Sequence, residues 1–214
     1  MSFPLYKPNS KNSGNAFTFS QGVNRKNGEP SFFISAIAQH SWNDEKRIGT
    51  FAGNSGDSDK KVNVKISEFE CGEFISAFEN RYDYSTFHSF EGNNTTIKLS
   101  PWDKPTKISK YDSESKGFKD EQVTRPAFGI SITKGKGNTF KVALEPGEVI
   151  YLKKVIGVFL EELVRFRIAK QKEDFKNRQN ESDSTTRSPF KKETVATASG
   201  VQEDAGDSED EPPF

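Results

Sequence analysis

Three residues able to contact a polyanion, Lys61, Asn63 and Lys65, alternate with Val62, Val64 and Ile66. Along an extended strand, successive side chains point to opposite faces, so this hexapeptide offers one basic, polar side and one apolar side. Lys141 stands opposite Phe140 and Val142 in the same way, and segments 93–100 and 127–144 carry Lys98, Lys134, Lys136 and Lys141 without a single acid. A basic sheet face can contact phosphates without reading base sequence, and rings beside it can stack on any unpaired base. Rings are plentiful: 19 Phe, 5 Tyr and 2 Trp in a chain only 32% hydrophobic, more than so lean a core requires. Phe17, Phe19, Phe33, Phe51 and Phe87 are candidate platforms for which core packing is the simpler reading. Trp42 and Trp102 lie in turn-rich sequence where an indole is harder to bury, and they join Lys61, Lys65, Lys98, Lys134, Lys136 and Lys141 as the candidate nucleic-acid-binding set.

Other chemistry has little to be built from. Cys71 is the lone cysteine, only His40 and His88 accompany it, and no phosphate loop, Gly-x-Ser-x-Gly elbow or His-Glu-x-x-His helix occurs. A non-enzymatic protein without cofactor or metal is expected. No apolar run approaches the roughly 20 residues of a membrane span. Met1-Ser2-Phe3-Pro4 lacks the regions of a secretory signal, so a soluble, cytoplasmic protein, of a bacterium or a phage-infected host cell, is expected.

The formal net charge of zero conceals an asymmetry. Residues 201–214 hold six acids (Glu203, Asp204, Asp207, Glu209, Asp210, Glu211) and no base, so the remainder is net basic. The sequence closes on Glu209-Asp210-Glu211-Pro212-Pro213-Phe214. Here Phe214 would supply an apolar anchor and an α-carboxylate, two prolines an extended approach, and the acids a reach toward a basic pocket rim. This ending resembles the tail of bacterial and phage single-stranded DNA-binding proteins: an acidic run, a proline and a final phenylalanine. The resemblance implies a segment that recruits other replication or recombination proteins.

Three parts are expected: an extended N-terminal arm at 1–12, a core at 13–170, and a disordered linker with its acidic tail at 171–214, where apolar periodicity stops. Within the core, alternation predicts strands near 15–21, 31–39, 46–52, 60–66, 84–91, 94–100, 127–134 and 138–144. Residues 101–126 read as the longest connection. It bears Lys104, Lys107, Lys110, Lys116, Lys119 and Arg125, but the interspersed acids favour a solvated loop over a basic flap. Ser67 is placed to cap a helix over 68–79, and Pro146 to open a second one. The apolar stripe of that helix runs from Val149 to Leu163, and Arg165, Arg167 and Lys170 lie near its end. Val158, Phe159, Leu160, Leu163, Val164 and Phe166 form a nearly contiguous apolar surface that predicts a homo-oligomer, dimer or tetramer.

Each helix follows a strand directly, and superposing 62–67 on 140–145, an offset of 78, aligns the inward positions and both helix starts. Val64 with Val142 and Glu70 with Glu148 are the identities. The pattern predicts an α+β fold of two strand-strand-strand-strand-helix repeats, with antiparallel sheets packed on two helices. That order resembles the Whirly family of single-stranded DNA-binding proteins and, more remotely, the transcriptional positive-cofactor proteins. The resemblance implies nonspecific binding of unpaired strands on the sheets and oligomerisation through the helices. The fold alternative is an oligonucleotide-binding β-barrel. A sequence-nonspecific single-stranded DNA-binding protein of replication, recombination or repair is therefore expected, the alternative being a transcription regulator or RNA-binding adaptor.

Overall fold

A computed structural model describes residues 2–90, 93–135 and 137–185. Strands β1 (Ser2–Lys7), β2 (Asn15–Val23), β3 (Pro30–Ala38) and β6 (Lys61–Ile66) make one sheet, with a small hairpin, β4 (Ser41–Asn43) and β5 (Ile48–Thr50), between the last two. Helix α1 (Glu68–Asn80) leads to the second sheet, β7 (Tyr84–Phe90), β8 (Asn93–Asp112), β9 (Gly117–Lys134) and β10 (Asn138–Leu144), and then to α2 (Pro146–Thr185). The strand orders are β1-β2-β3-β6 and β10-β9-β8-β7, antiparallel throughout. Both sheets are open, so the fold is the predicted α+β doubling and not a barrel. The strands, α1 and α2 up to Lys172 belong to one compact unit; from Glu173 a second unit begins, and its described part is helical.

Period-two alternation sends one face of each sheet inward. In the first sheet the rows Leu5–Phe17–Ala36–Val62 and Phe3–Phe19–Ile34–Val64 face the core; in the second, Ile97–Ile132–Phe140 and Leu99–Ile130–Val142 do. Fully burying one of these Val, Leu, Ile or Phe side chains contributes roughly 1.5–3 kcal/mol. The helices answer with stripes at helical spacing: Cys71, Phe74, Ala77 and Phe78 from α1, and Val149, Leu152, Val155, Ile156, Phe159 and Leu163 from α2. Ring contacts cross between the halves. Phe159 of α2 packs on Phe32 of the first sheet at 5.3 Å between centroids, while Phe78 of α1 meets Phe128 of the second edge-on at 4.9 Å. Tyr84 receives Phe74 likewise. Each helix thus seals the sheet of the other repeat.

The repeat is also written into the helix starts, which lie 78 residues apart. At α1 the Ser67 hydroxyl accepts from the Glu70 amide, and Glu70 Oε2 accepts from the Ser67 amide at 2.9 Å. At α2 the Glu148 Oε2 accepts from the Glu145 amide at 2.7 Å. The shared Glu at offset 78 therefore closes the backbone of both helices. Arg167 of α2 then bridges Glu29, in the β2–β3 turn, and Glu68 of α1, at 2.8 and 2.9 Å.

Several boundaries differ from the sequence reading. The supposed arm pairs as edge strand β1, where Pro4 is tolerated because an edge has a side without ladder bonds, and it supplies the fourth strand of the first sheet. The strand expected at 46–52 shrinks to Ile48–Thr50 of the small hairpin. Residues 101–126 are not a loop but the outer half of a β8–β9 ribbon in continuous register from Thr95–Lys134 to Asp112–Gly117. That half buries no side chain fully, so its sequence shows no apolar alternation to read. Helix α2 continues past residue 170 to Thr185, where irregular chain was expected.

The caps predict a stability signature. Ser67→Ala should lower unfolding free energy by about 1 kcal/mol in urea titration. Burial raises the pKa of the Glu70 carboxyl, but hydrogen bonds from Thr86 and Ser67 outweigh it and hold the group below its ordinary 4.5. The associated stability is present above that value and lost as pH falls through the lower folded value. Glu70→Gln should flatten this acid limb; an unchanged limb would show that the carboxylate contributes no pH-dependent stability.

Candidate nucleic-acid interface

With the inner faces sealed, the outer face of the first sheet carries the rows Ser20–Phe33–Lys65, Thr18–Ser35–Asn63 and Ala16–Ile37–Lys61. Apart from Ser20 these rows floor a groove of about 1170 Å³, which Ser55 and Ser58 and, from the second sheet, Phe87, His88, Ser89, Thr95 and Lys134 also line. Among the described residues no carboxylate lines it. The register explains the floor: inward Ile34, Val62 and Val64 force Phe33, Ser35, Lys61, Asn63 and Lys65 outward. Gly22 lies beside Phe33, and a Cβ there would come within 3.0 Å of the ring edge, so glycine leaves the ring room to lie along the sheet. Phe87 is 62% exposed, a ring held into solvent on an edge strand.

The polar groups are ordered. Ser35 Oγ donates to Asn63 Oδ1 at 2.8 Å, Lys61 Nζ donates to the Ser55 carbonyl, and Lys134 Nζ donates to the Ser58 carbonyl at 2.8 Å. None of these partners is charged, so each ammonium keeps its net charge for a phosphate. His88 also lines the groove; its Nε2 lies 2.9 Å from Glu70 Oε1 but outside hydrogen-bond geometry, and Oε1 is taken by the Thr86 hydroxyl. Cys71 is buried in the core, which pushes its thiol up to about 12, so it offers no nucleophile.

The structure brings Lys61, Lys65 and Lys134 together around the groove. Lys134 arrives by a route the sequence did not suggest: it shares the inward side of β9 with Ile132 and reaches the groove because it stands at the end of the strand. Lys98 and Lys141 lie elsewhere, in one row with Ser85 and Ser131 on the outer face of the second sheet. Lys136 and the tail residues Glu209, Asp210, Glu211, Pro212, Pro213 and Phe214 fall outside the described residues. Trp42 and Trp102 sit on strands rather than in turns. Trp42 belongs to the small hairpin, with Nε1 donating to Asp44 at 2.8 Å, and does not line the groove. Trp102 continues the outer face of β8 beyond Lys98. Phe17 and Phe19 are fully buried, whereas Phe33 and Phe87 are the rings at the groove. Parity could have separated them, since Phe33 falls in register with Lys65 and Phe17 with Leu5 and Ala36.

No family model and no curated protein matches the chain. Among solved structures it is similar to WHY3 from Arabidopsis thaliana, with 12% identity over 80% of this chain and 92% of that one and a TM-score of 0.49. The plant transcriptional regulator PBF-2 shows 14% identity over 80% and 86%, with a TM-score of 0.45. WHY1 from Arabidopsis thaliana shows 12% over 77% and 90%, with a TM-score of 0.46.

If the groove holds a polynucleotide, changing Lys61 and Lys65 together to Ala removes two phosphate contacts. The slope of log affinity against log salt on single strands should then shrink by about 1.4. Phe33→Ala should instead lower affinity at every salt concentration without altering the slope, because stacking releases no counterions. Fluorescence anisotropy over a salt series distinguishes the two; identical slopes for wild type and the lysine pair would place the phosphates elsewhere.

Proposed function

We propose that this protein binds single-stranded nucleic acid, DNA foremost, with little sequence preference, and serves replication, recombination or repair. The observation that carries the proposal is the groove in which Lys61, Lys65 and Lys134 surround Phe33 and Phe87, with no acid among its described lining residues. Its lysines supply phosphate contacts and its rings accept any base. Its remaining floor of Ser, Thr and Asn can hydrogen-bond sugars and base edges without imposing a code. A duplex buries its base faces in the stack and cannot use the rings. The acidic segment ending Pro212-Pro213-Phe214 recruits partner proteins, with Phe214 as anchor, and its six acids compete with phosphates for the lysines.

The purified protein should bind an oligothymidine more tightly than RNA of equal length, and both more tightly than a duplex, in a competition titration at two salt concentrations. Deleting 203–214 should strengthen binding at low salt, less so as screening grows, and abolish partner capture. Phe214→Ala should abolish capture alone. Absence of polynucleotide binding at low salt would overturn the proposal, and weaker DNA binding after truncation would overturn the competitive role of the tail.

The helix layer supplies an assembly surface that leaves the groove free. Phe159 and Leu163, expected on the contiguous apolar surface, face the core instead, but Ile150, Val164 and Ile168 are exposed. Ile75 of α1 joins Ile150, Gly157 and Val158 of α2 along a shallow cleft edged by Glu79, Lys153, Lys154 and Glu161. Apolar side chains flanked by both charge signs suit a self-complementary contact. Light scattering at micromolar concentration should return a multiple of 24.0 kDa, and Ile150→Glu should return the monomer. A wild-type protein that stays monomeric would contradict this assembly.

A further inference from the structure

The outer half of the β8–β9 ribbon has an asymmetry that its composition hides. Cross-strand register assigns Trp102, Lys104, Thr106, Ile108, Lys110 and Asp112, with Ala127, Arg125, Val123, Glu121 and Lys119, to the side continuous with Lys98 and the outer face of the second sheet. Within 103–126 that side bears four bases, Lys104, Lys110, Lys119 and Arg125, against Asp112 and Glu121. The opposite side bears Lys107 against Asp103 and Asp120. Bases are therefore segregated onto the side that carries the indole.

The acids on or near the basic side are already engaged. Lys119 pairs with Asp112, Lys110 reaches Glu121 at 3.4 Å, and Lys104 meets Glu145. These pairs are solvent-accessible, so each contributes little and can yield to a phosphate. On the opposite side Arg81 holds Asp103 at 2.7 Å and Ser109 donates to Asp120 at 2.7 Å. Arg125 makes no ion pair with the described residues, and the Trp102 indole, 38% exposed, makes no hydrogen bond with them. Thr106, Ile108 and Val123 lie half-buried between the bases. A ring, a free guanidinium and a net positive face complement a strand of phosphates bearing stackable bases.

We propose that this side of the ribbon is a second polynucleotide subsite. It would extend the track from the groove along the outer face of the second sheet, past Lys98, to Trp102 and Arg125. The inference rests on single-strand binding at the groove. From Phe87 and Thr96 at the groove end to Trp102 the strand advances about 20 Å, and from there to the ribbon tip about 30 Å more. A short oligonucleotide fills the groove alone, whereas a long one reaches the ribbon.

The test uses the full chain and two oligothymidines, about 6 and about 20 nucleotides long. One variant combines Trp102→Ala with Arg125→Ala. A second replaces residues 105–124 by Asn-Gly, joining the paired Lys104 and Arg125 through a two-residue hairpin turn. Both variants should bind the short probe as wild type does and the long probe at least about fivefold more weakly. The Lys61/Lys65 variant should weaken both probes. Unchanged affinity for the long probe in both ribbon variants, with the lysine variant weakened, overturns the ribbon subsite and leaves the groove standing. Failure of the wild type to bind either probe overturns the groove reading and the ribbon with it.

Discussion

The exchange of helices between the two halves is the packing constraint on which the molecule rests. Phe159 closes over Phe32 and Phe78 over Phe128, so neither sheet has its apolar side covered by its own repeat alone. A four-stranded sheet with one helix is a small core; two interlocked ones share a single continuous cluster from Leu5 to Leu163. Arg167 reinforces the exchange, tying α2 to the first sheet's turn and to α1. Its guanidinium holds Glu29 below the usual carboxylate range, and Glu68 is lowered first by its own backbone amide and then by Arg167.

This arrangement determines where function can reside. Both helices occupy the inner faces, so the outer faces keep whatever side chains alternation places there, and those are lysines, serines, threonines and a few rings. Edge strands β6 and β7 border the groove, and Lys134 reaches it from a strand end. A sheet surface with ring and ammonium groups set by strand register, and no acid among the described groove residues, suits a flexible ligand, because the protein side contributes little ordering entropy on binding.

The legible part of the sequence was the part governed by burial. Val62, Val64 and Ile66 alternating with Lys61, Asn63 and Lys65 reveal both the strand and the groove floor, and Ser67 with Glu70 reveals the cap of α1. The repeat was visible through Glu70 and Glu148, whose shared role is to close a helix start. What escaped was set by pairing or by context. Edge strand β1 contains Pro4, and the ribbon contains Pro101, Pro105 and Pro126 with no buried side to mark it. Trp42 and Trp102 sit among turn-forming residues, yet cross-strand partners Gly49 and Ala127 place them on strands. Phe17 in the core and Phe33 at the groove both lie on alternating strands and differ only in parity.

In the proposed binding mode unpaired bases rest on the outer sheet faces while the helices stay clear of them. Photo-crosslinking an oligonucleotide carrying halogenated pyrimidines, followed by peptide mapping, reads this directly. The expected result is adducts at Phe33 and Phe87 in the groove and none on α1 or α2. Adducts concentrated on exposed helix residues such as Phe69 or Tyr151, with the groove peptides unmodified, would contradict it.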